Sequence, residues 1–172
     1  RIVTYLEESG QLENTVIMFS SDHGASSGTS GLAEGAPVRS AIANASLDNS
    51  IENFGRPKSW IDHGVGFGEA ATAPFKYSKG TLSEGGLRAA AFVHYPATVA
   101  AGGVSNAFMT MMDILPTFME VAGTKHPGAG LFNGRQVNDI VGRSAWPHLT
   151  GNASTVHSPT ESAGWSGGSG GA

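Results

Sequence analysis

Thr15-Val16-Ile17-Met18-Phe19-Ser20-Ser21-Asp22-His23-Gly24 is the stretch from which the fold can be read. Its first six residues carry β-branched and apolar side chains at both parities, as in a strand covered on both faces of a parallel sheet. The segment before it is helical in pattern. Ile2, Tyr5 and Leu6 recur at helical spacing within Arg1 to Ser9, and Gly10 supplies a stop, so these are read as the last turns of a helix that begins upstream. Helix, turn and buried strand in succession predict an α/β architecture. Asp22 and His23 follow the strand directly, and ligands in open α/β sheets bind outside the carboxyl ends of strands.

Further along, residues 25 to 74 show no sustained period apart from one short helical signal around Val38 to Ala45. A stretch of that length without regular structure reads either as a functional loop region or as a sign that an element in it has been misassigned. Leu87 to Tyr95 predicts a second apolar strand, ended by Pro96. Asp113 to Ala122 predicts a helix with Ile114, Leu115, Phe118, Met119 and Val121 as its buried stripe; Asp113 is the N-cap, Pro116 is tolerated near the start, and Gly123 ends it. Residues 1–165 are read as part of one domain. The Gly/Ser-rich residues 166–172 are read as a linker or truncation scar.

Composition limits what the chain can do. Of 172 residues, 10 are Lys or Arg and the formal charge is -4, which offers no clustered cationic footprint for nucleic acid. No apolar run reaches the roughly 18 to 20 residues that span a bilayer. The chain has no Cys, which fits either redox compartment and leaves localisation open. Two Asn-x-Ser sequons, at Asn44 and Asn152, are glycosylation acceptors only in a secretory context.

Two constellations carry chemistry. Asp22 and His23 are adjacent potential metal ligands, although an isolated Asp-His-Gly is more often a turn cap beside a surface histidine. A second copy, Asp62-His63-Gly64, shows how cheap the tripeptide is; it follows no buried strand and is assigned to a loop. The other constellation is Lys79-Gly80-Thr81-Leu82-Ser83-Glu84-Gly85-Gly86-Leu87-Arg88, a lysine on a glycine-rich turn. Thr81 to Glu84 has capping-box form, but Gly85 and Gly86 follow where a helix should propagate, so no helix is expected there. An ammonium near a metal can neutralise the oxygens of a sulfate or phosphate group during transfer.

Taken together, Asn14 to Gly24, Lys79 to Arg88 and Met112-Asp113-Ile114-Leu115-Pro116-Thr117-Phe118-Met119-Glu120-Val121-Ala122-Gly123 resemble three consecutive motifs of the type I sulfatases. Asp48 to Gly55 and Ala70 to Pro74 add a resemblance to the bacterial, Pseudomonas-type arylsulfatases. The resemblance implies an alkaline-phosphatase-like α/β fold with a mostly parallel sheet flanked by helices, here incomplete at both ends. It implies hydrolysis of a small-molecule sulfate ester, with Asp22 and His23 contributing to a Ca²⁺ site, Lys79 contacting the sulfate, and Arg88 bracing the turn.

The family's nucleophile is a formylglycine made within a Cys/Ser-x-Pro-x-Arg motif, which this sequence does not contain. By the resemblance it belongs upstream, with the remaining metal ligands, and the isolated chain is expected to be inactive. One departure concerns the metal: many relatives carry Asn at the position of His23, and imidazole suits Zn²⁺ or Mn²⁺ better than a hard cation. The flanking similarity still favours Ca²⁺. Alternative readings are a non-catalytic fragment or degenerate homologue, and a metal-dependent phosphodiesterase or phosphonate hydrolase of the same superfamily.

Overall fold

Residues 1–26, 47–59 and 64–166 are described by the computed structural model of the chain. In chain order its elements are α1 (Ile2–Glu8), β1 (Ile17–Ser20), α2 (Gly64–Thr72), α3 (Glu84–Leu87), β2 (Ala91–His94), α4 (Ile114–Val121), β3 (Gly130–Phe132), β4 (Arg135–Val137) and α5 (Trp146–Leu149). Contacts divide the chain into one unit of Arg1–Phe19 and Phe92–Ala163 and another of Ser20–Ala91 and Gly164–Ala172. Among the described residues no helix is long and apolar enough to cross a membrane.

In the first unit, β1 pairs with β2. Val16, Met18 and Val93 turn to one side and meet Thr117, Phe118 and Val121 of α4 and Trp146 and Leu149 of α5 around a crevice of only about 10 Å³. The period of 2 puts the neighbouring Phe19 and Phe92 on the other side. There the two rings stack at 5.3 Å and remain 54% and 56% exposed. The expected strand with both faces buried is therefore covered on one face only, because within this unit a single helical layer packs against it.

The centre of this unit is polar. Asp113 is fully buried at the N-cap position of α4, and its carboxylate accepts from the Thr110 N–H at 2.6 Å, the Arg143 N–H at 2.7 Å and His157 Nε2 at 2.8 Å. The His157 ring also stands 3.3 Å from Glu161 through Nδ1, and Arg143 donates to Glu161 from its guanidinium. Thr117 Oγ1 donates to the Asp113 carbonyl at 2.6 Å and accepts from the Ala145 N–H at 2.8 Å. Thus Asp113 holds the N-cap place that its sequence position predicts, but its carboxylate ties residues 143–157 to the helix instead of capping it. The predicted apolar stripe is corrected in part: Ile114, Met119 and Val121 are half-buried and Phe118 borders the crevice at 37% exposure, but Leu115 is exposed and the buried positions of the segment are Asp113 and Thr117.

Three further expectations change. α2 occupies residues assigned to irregular chain, hidden from propensity by Gly64, Gly66 and Gly68. α3 forms where Gly85 and Gly86 argued against a helix, so the second strand begins at Ala91 and not at Leu87. The antiparallel hairpin of β3 and β4 was unmarked in the sequence reading; its signal was Asn133-Gly134, which takes left-handed φ values of 49° and 76° in a two-residue turn. The helical signal at residues 38–45 and the Gly/Ser tail from residue 167 lie outside the described residues.

Burial alone would raise the Asp113 carboxyl, but the N–H of Arg143, the His157 ring and the N–H of Thr110 together hold it below the ordinary carboxylate range. Glu161 is held at about 2, chiefly by hydrogen bonding to the Arg143 side chain. Both folded-state values are depressed, so this stabilisation is complete above the ordinary carboxylate range and is lost as pH falls toward about 2. Asp113→Ala leaves two part-buried N–H groups, of Thr110 and Arg143, without their acceptor and is expected to cost about 2–4 kcal/mol in urea unfolding. Asp113→Asn should cost less and should flatten the acid limb of the stability curve.

Candidate functional site

The second unit owes its local geometry to three glycines. A Cβ on Gly24 would lie 1.8 Å from the Gly85 carbonyl oxygen, one on Gly85 would lie 2.1 Å from the Tyr77 carbonyl, and one on Gly86 would lie 2.4 Å from the Thr81 carbonyl. Backbone therefore packs directly on backbone, and residues 24, 76–81 and 85–86 meet without intervening side chains. Hydrogen bonds join the same segments: Gly24 N–H to the Gly86 carbonyl at 3.0 Å, Gly85 N–H to the Lys76 carbonyl at 3.2 Å, and Lys79 N–H to the Ala25 carbonyl at 2.9 Å. Gly80, at φ 93°, makes the turn that brings the chain back toward α3.

Asp22 and His23 stand at one edge of this packing. The Asp22 side chain is 79% exposed and that of His23 29% exposed, with Asp22 Oδ1 and His23 Nε2 3.3 Å apart. His23 Nδ1 lies 2.6 Å from the Gly24 carbonyl, which can only accept, so Nδ1 carries a proton. In a neutral ring Nε2 then presents its lone pair toward a carboxylate oxygen. A shared cation, or a second ring proton, reconciles two acceptors at that distance. Cation ligation at roughly 2 to 2.6 Å from each atom is compatible with the 3.3 Å separation, and a ring whose other N–H is held by a backbone carbonyl is the usual state of a metal-binding histidine. The two residues thus fit as part of a divalent-cation site. Among the described residues no group of three or more His, Cys, Asp or Glu side chains completes it.

Lys79 is exposed, and its backbone is tied by the bond to Ala25, the residue after Gly24 and two beyond His23. Lys79 and the Asp22–His23 pair are thereby brought into one local assembly across 57 residues of sequence. Arg88 pairs with Glu84 one turn earlier in α3 at 3.2 Å and covers the Phe75 ring at 4.5 Å, which braces the turn as expected. Asp62 and His63 lie outside the described residues. Sequence reasoning missed the part played by Gly24, read only as the third member of a tripeptide. A glycine next to a ligand pair, with a Gly-Gly elsewhere, was the available signal.

Residues 1–124 match the family model described as Sulfatase. Over 166 residues the chain is 39% identical to an uncharacterized sulfatase of Schizosaccharomyces pombe, covering 96% of this chain and 29% of that protein. It is 31% identical over 149 residues to an arylsulfatase of Hemicentrotus pulcherrimus, covering 86% and 20% respectively. With an arylsulfatase of Klebsiella aerogenes the identity is 29% over 119 residues, covering 69% and 25%. The chain spans less than a third of the length of each of these relatives.

The glycine contact makes a direct test. Gly24→Ala forces a methyl group onto a backbone carbonyl and is expected to destabilise the protein by about 1–3 kcal/mol or more, as overpacking does. Gly66→Ala, within α2 and with open space around its Cβ position, should instead stabilise by roughly 0.5–1 kcal/mol. Chemical denaturation of the two variants side by side checks the contrast, and equal effects would remove the packing argument.

Proposed function

Given that the chain belongs to the sulfatase family, we propose that it supplies the cation-binding and sulfate-positioning part of a sulfate monoester hydrolase with an alkaline-phosphatase-like fold and a mostly parallel sheet. The observation that carries this reading is the Lys79–Ala25 backbone bond, which joins the lysine-bearing turn to the chain two residues beyond His23. Asp22 and His23 hold a divalent cation, Ca²⁺ by family resemblance, with Mn²⁺ or Zn²⁺ as the alternatives that an imidazole ligand suits. Such a cation supplies positive charge to the sulfate oxygens.

The chain's own residues then act by positioning and charge. The Lys79 ammonium donates to the ester oxygen of the sulfate group, and that contact strengthens as negative charge builds on this oxygen while the leaving group departs. Because the backbone of Lys79 is pinned by Ala25 while Gly85 and Gly86 pack against the carbonyls of residues 76–78 and 81, the ammonium is carried on a rigid turn. The His23 ring keeps Nε2 directed at the Asp22 carboxylate because its Nδ1 proton is engaged by Gly24. The nucleophile, formylglycine in this family, is assigned to no residue of this chain, because the motif that generates it is not in the sequence.

In an active protein that carries this chain, Lys79→Ala is expected to lower kcat for para-nitrophenyl sulfate by on the order of 10² to 10³, by analogy with loss of an oxyanion-hole donor, with little effect on folding. Asp22→Asn and His23→Ala should each reduce bound metal measured by atomic emission, with excess Ca²⁺ restoring part of it. Turnover of Lys79→Ala within about twofold of the parent would withdraw the sulfate-contacting role. Preferential hydrolysis of a phosphate diester over a sulfate ester would instead favour the phosphodiesterase reading.

A further inference from the structure

Tyr77 is held in a conformation that its side chain does not favour. Its φ is 63°, in the left-handed region where Gly or Asn would sit with less strain and a bulky residue is an outlier. The backbone around it leaves no choice. The Tyr77 carbonyl accepts from Thr72 Oγ1 at 2.8 Å and occupies the space beside Gly85, the Lys76 carbonyl accepts from Ser83 Oγ at 2.8 Å and from the Gly85 N–H, and the Ser78 carbonyl accepts from Thr81 Oγ1 at 2.9 Å. Nor does burial compensate for an aromatic ring at this position, since Tyr77 is 55% exposed.

The ring does border a space. Glu69, Phe75, Lys76 and Tyr77 line an open cavity of about 340 Å³, within the range of small-molecule sites. Phe75 is fixed in its wall by the Arg88 guanidinium at 4.5 Å, so the aromatic side of the cavity is preorganised. Lys79 follows Tyr77 by two residues on the same pinned segment. A strained, exposed aromatic residue two positions before the lysine proposed to contact sulfate has a use if the substrate's organic group lies against it.

We infer that the cavity lined by Glu69, Phe75, Lys76 and Tyr77 receives the organic group of the sulfate ester, an aryl ring packing on Tyr77 while Lys79 contacts the sulfate. This rests on the function proposed above. Glu69 and Lys76 at the same cavity offer an acceptor and a donor to polar substituents of the ring. The apolar contact belongs to Tyr77, and the strain at its backbone is the cost of placing a ring where the chain turns.

The test separates the organic group from the sulfate. Tyr77→Asn removes the ring and suits the left-handed backbone, so folding should be preserved. In an active protein carrying this chain, it is expected to raise KM for para-nitrophenyl sulfate about fivefold to tenfold, while inhibition by inorganic sulfate stays within about twofold. Tyr77→Gly should do the same. In the unaltered protein, benzenesulfonate should inhibit about fivefold more tightly than methanesulfonate, which carries the same anionic head without the ring. Equal inhibition by the two sulfonates, or an unchanged KM in Tyr77→Asn, overturns the aryl subsite while a reduced kcat in Lys79→Ala keeps the sulfate site. A Tyr77→Asn variant that loses sulfate inhibition and substrate affinity in equal measure would make Tyr77 a support for Lys79 and also overturn the subsite. An unaltered kcat in Lys79→Ala would overturn the parent reading.

Discussion

Everything proposed for the second unit depends on backbone meeting backbone at Gly24, Gly85 and Gly86. A side chain at any of the three would collide with a carbonyl at between 1.8 and 2.4 Å. Because none is present, the segment after β1 hydrogen-bonds to α3 through Gly24 and Gly86, and to the lysine-bearing turn through Ala25 and Lys79. The usual cost of glycine, greater conformational freedom in the unfolded chain, is accepted here in return for a close approach that no other residue permits. Asp22, His23 and the backbone of Lys79 are thereby carried on one small local assembly.

The first unit is organised on a different principle, a buried carboxylate. Asp113 is surrounded by donors from Thr110, Arg143 and His157, and no buried side-chain nitrogen or oxygen among the described residues lacks a partner. Such a centre is specific because each donor has one geometry that satisfies it, whereas an apolar contact tolerates sliding. The neighbouring apolar crevice between β1, β2, α4 and α5 is narrow and supplies the less directional part of the packing.

At His23 a local bond decides which ring nitrogen is engaged and which is left to face Asp22. Imidazole in place of a side-chain amide would ordinarily point toward softer cations. Yet the proton on Nδ1, committed to the Gly24 carbonyl, leaves one nitrogen facing an oxygen of Asp22, so the pair offers a mixed nitrogen and oxygen edge.

From the sequence alone came the helix at Ile2–Glu8, the strand at Ile17–Ser20, the helix from Ile114 to Val121, the family, and the choice of Asp22, His23 and Lys79 as candidate residues. These were legible because apolar periodicity, caps and short motifs act over a few residues. The helix at Gly64–Thr72, the turn at Glu84–Leu87 and the burial of Asp113 and Thr117 in place of Leu115 were decided by tertiary structure. The same is true of the association of Lys79 with Ala25 and of the strained Tyr77. For Asp113, Thr117 and Lys79 the reason is that the deciding contact joins residues far apart in the chain: an amide opposite a carboxylate, or one backbone segment opposite another, has no signature in local propensity.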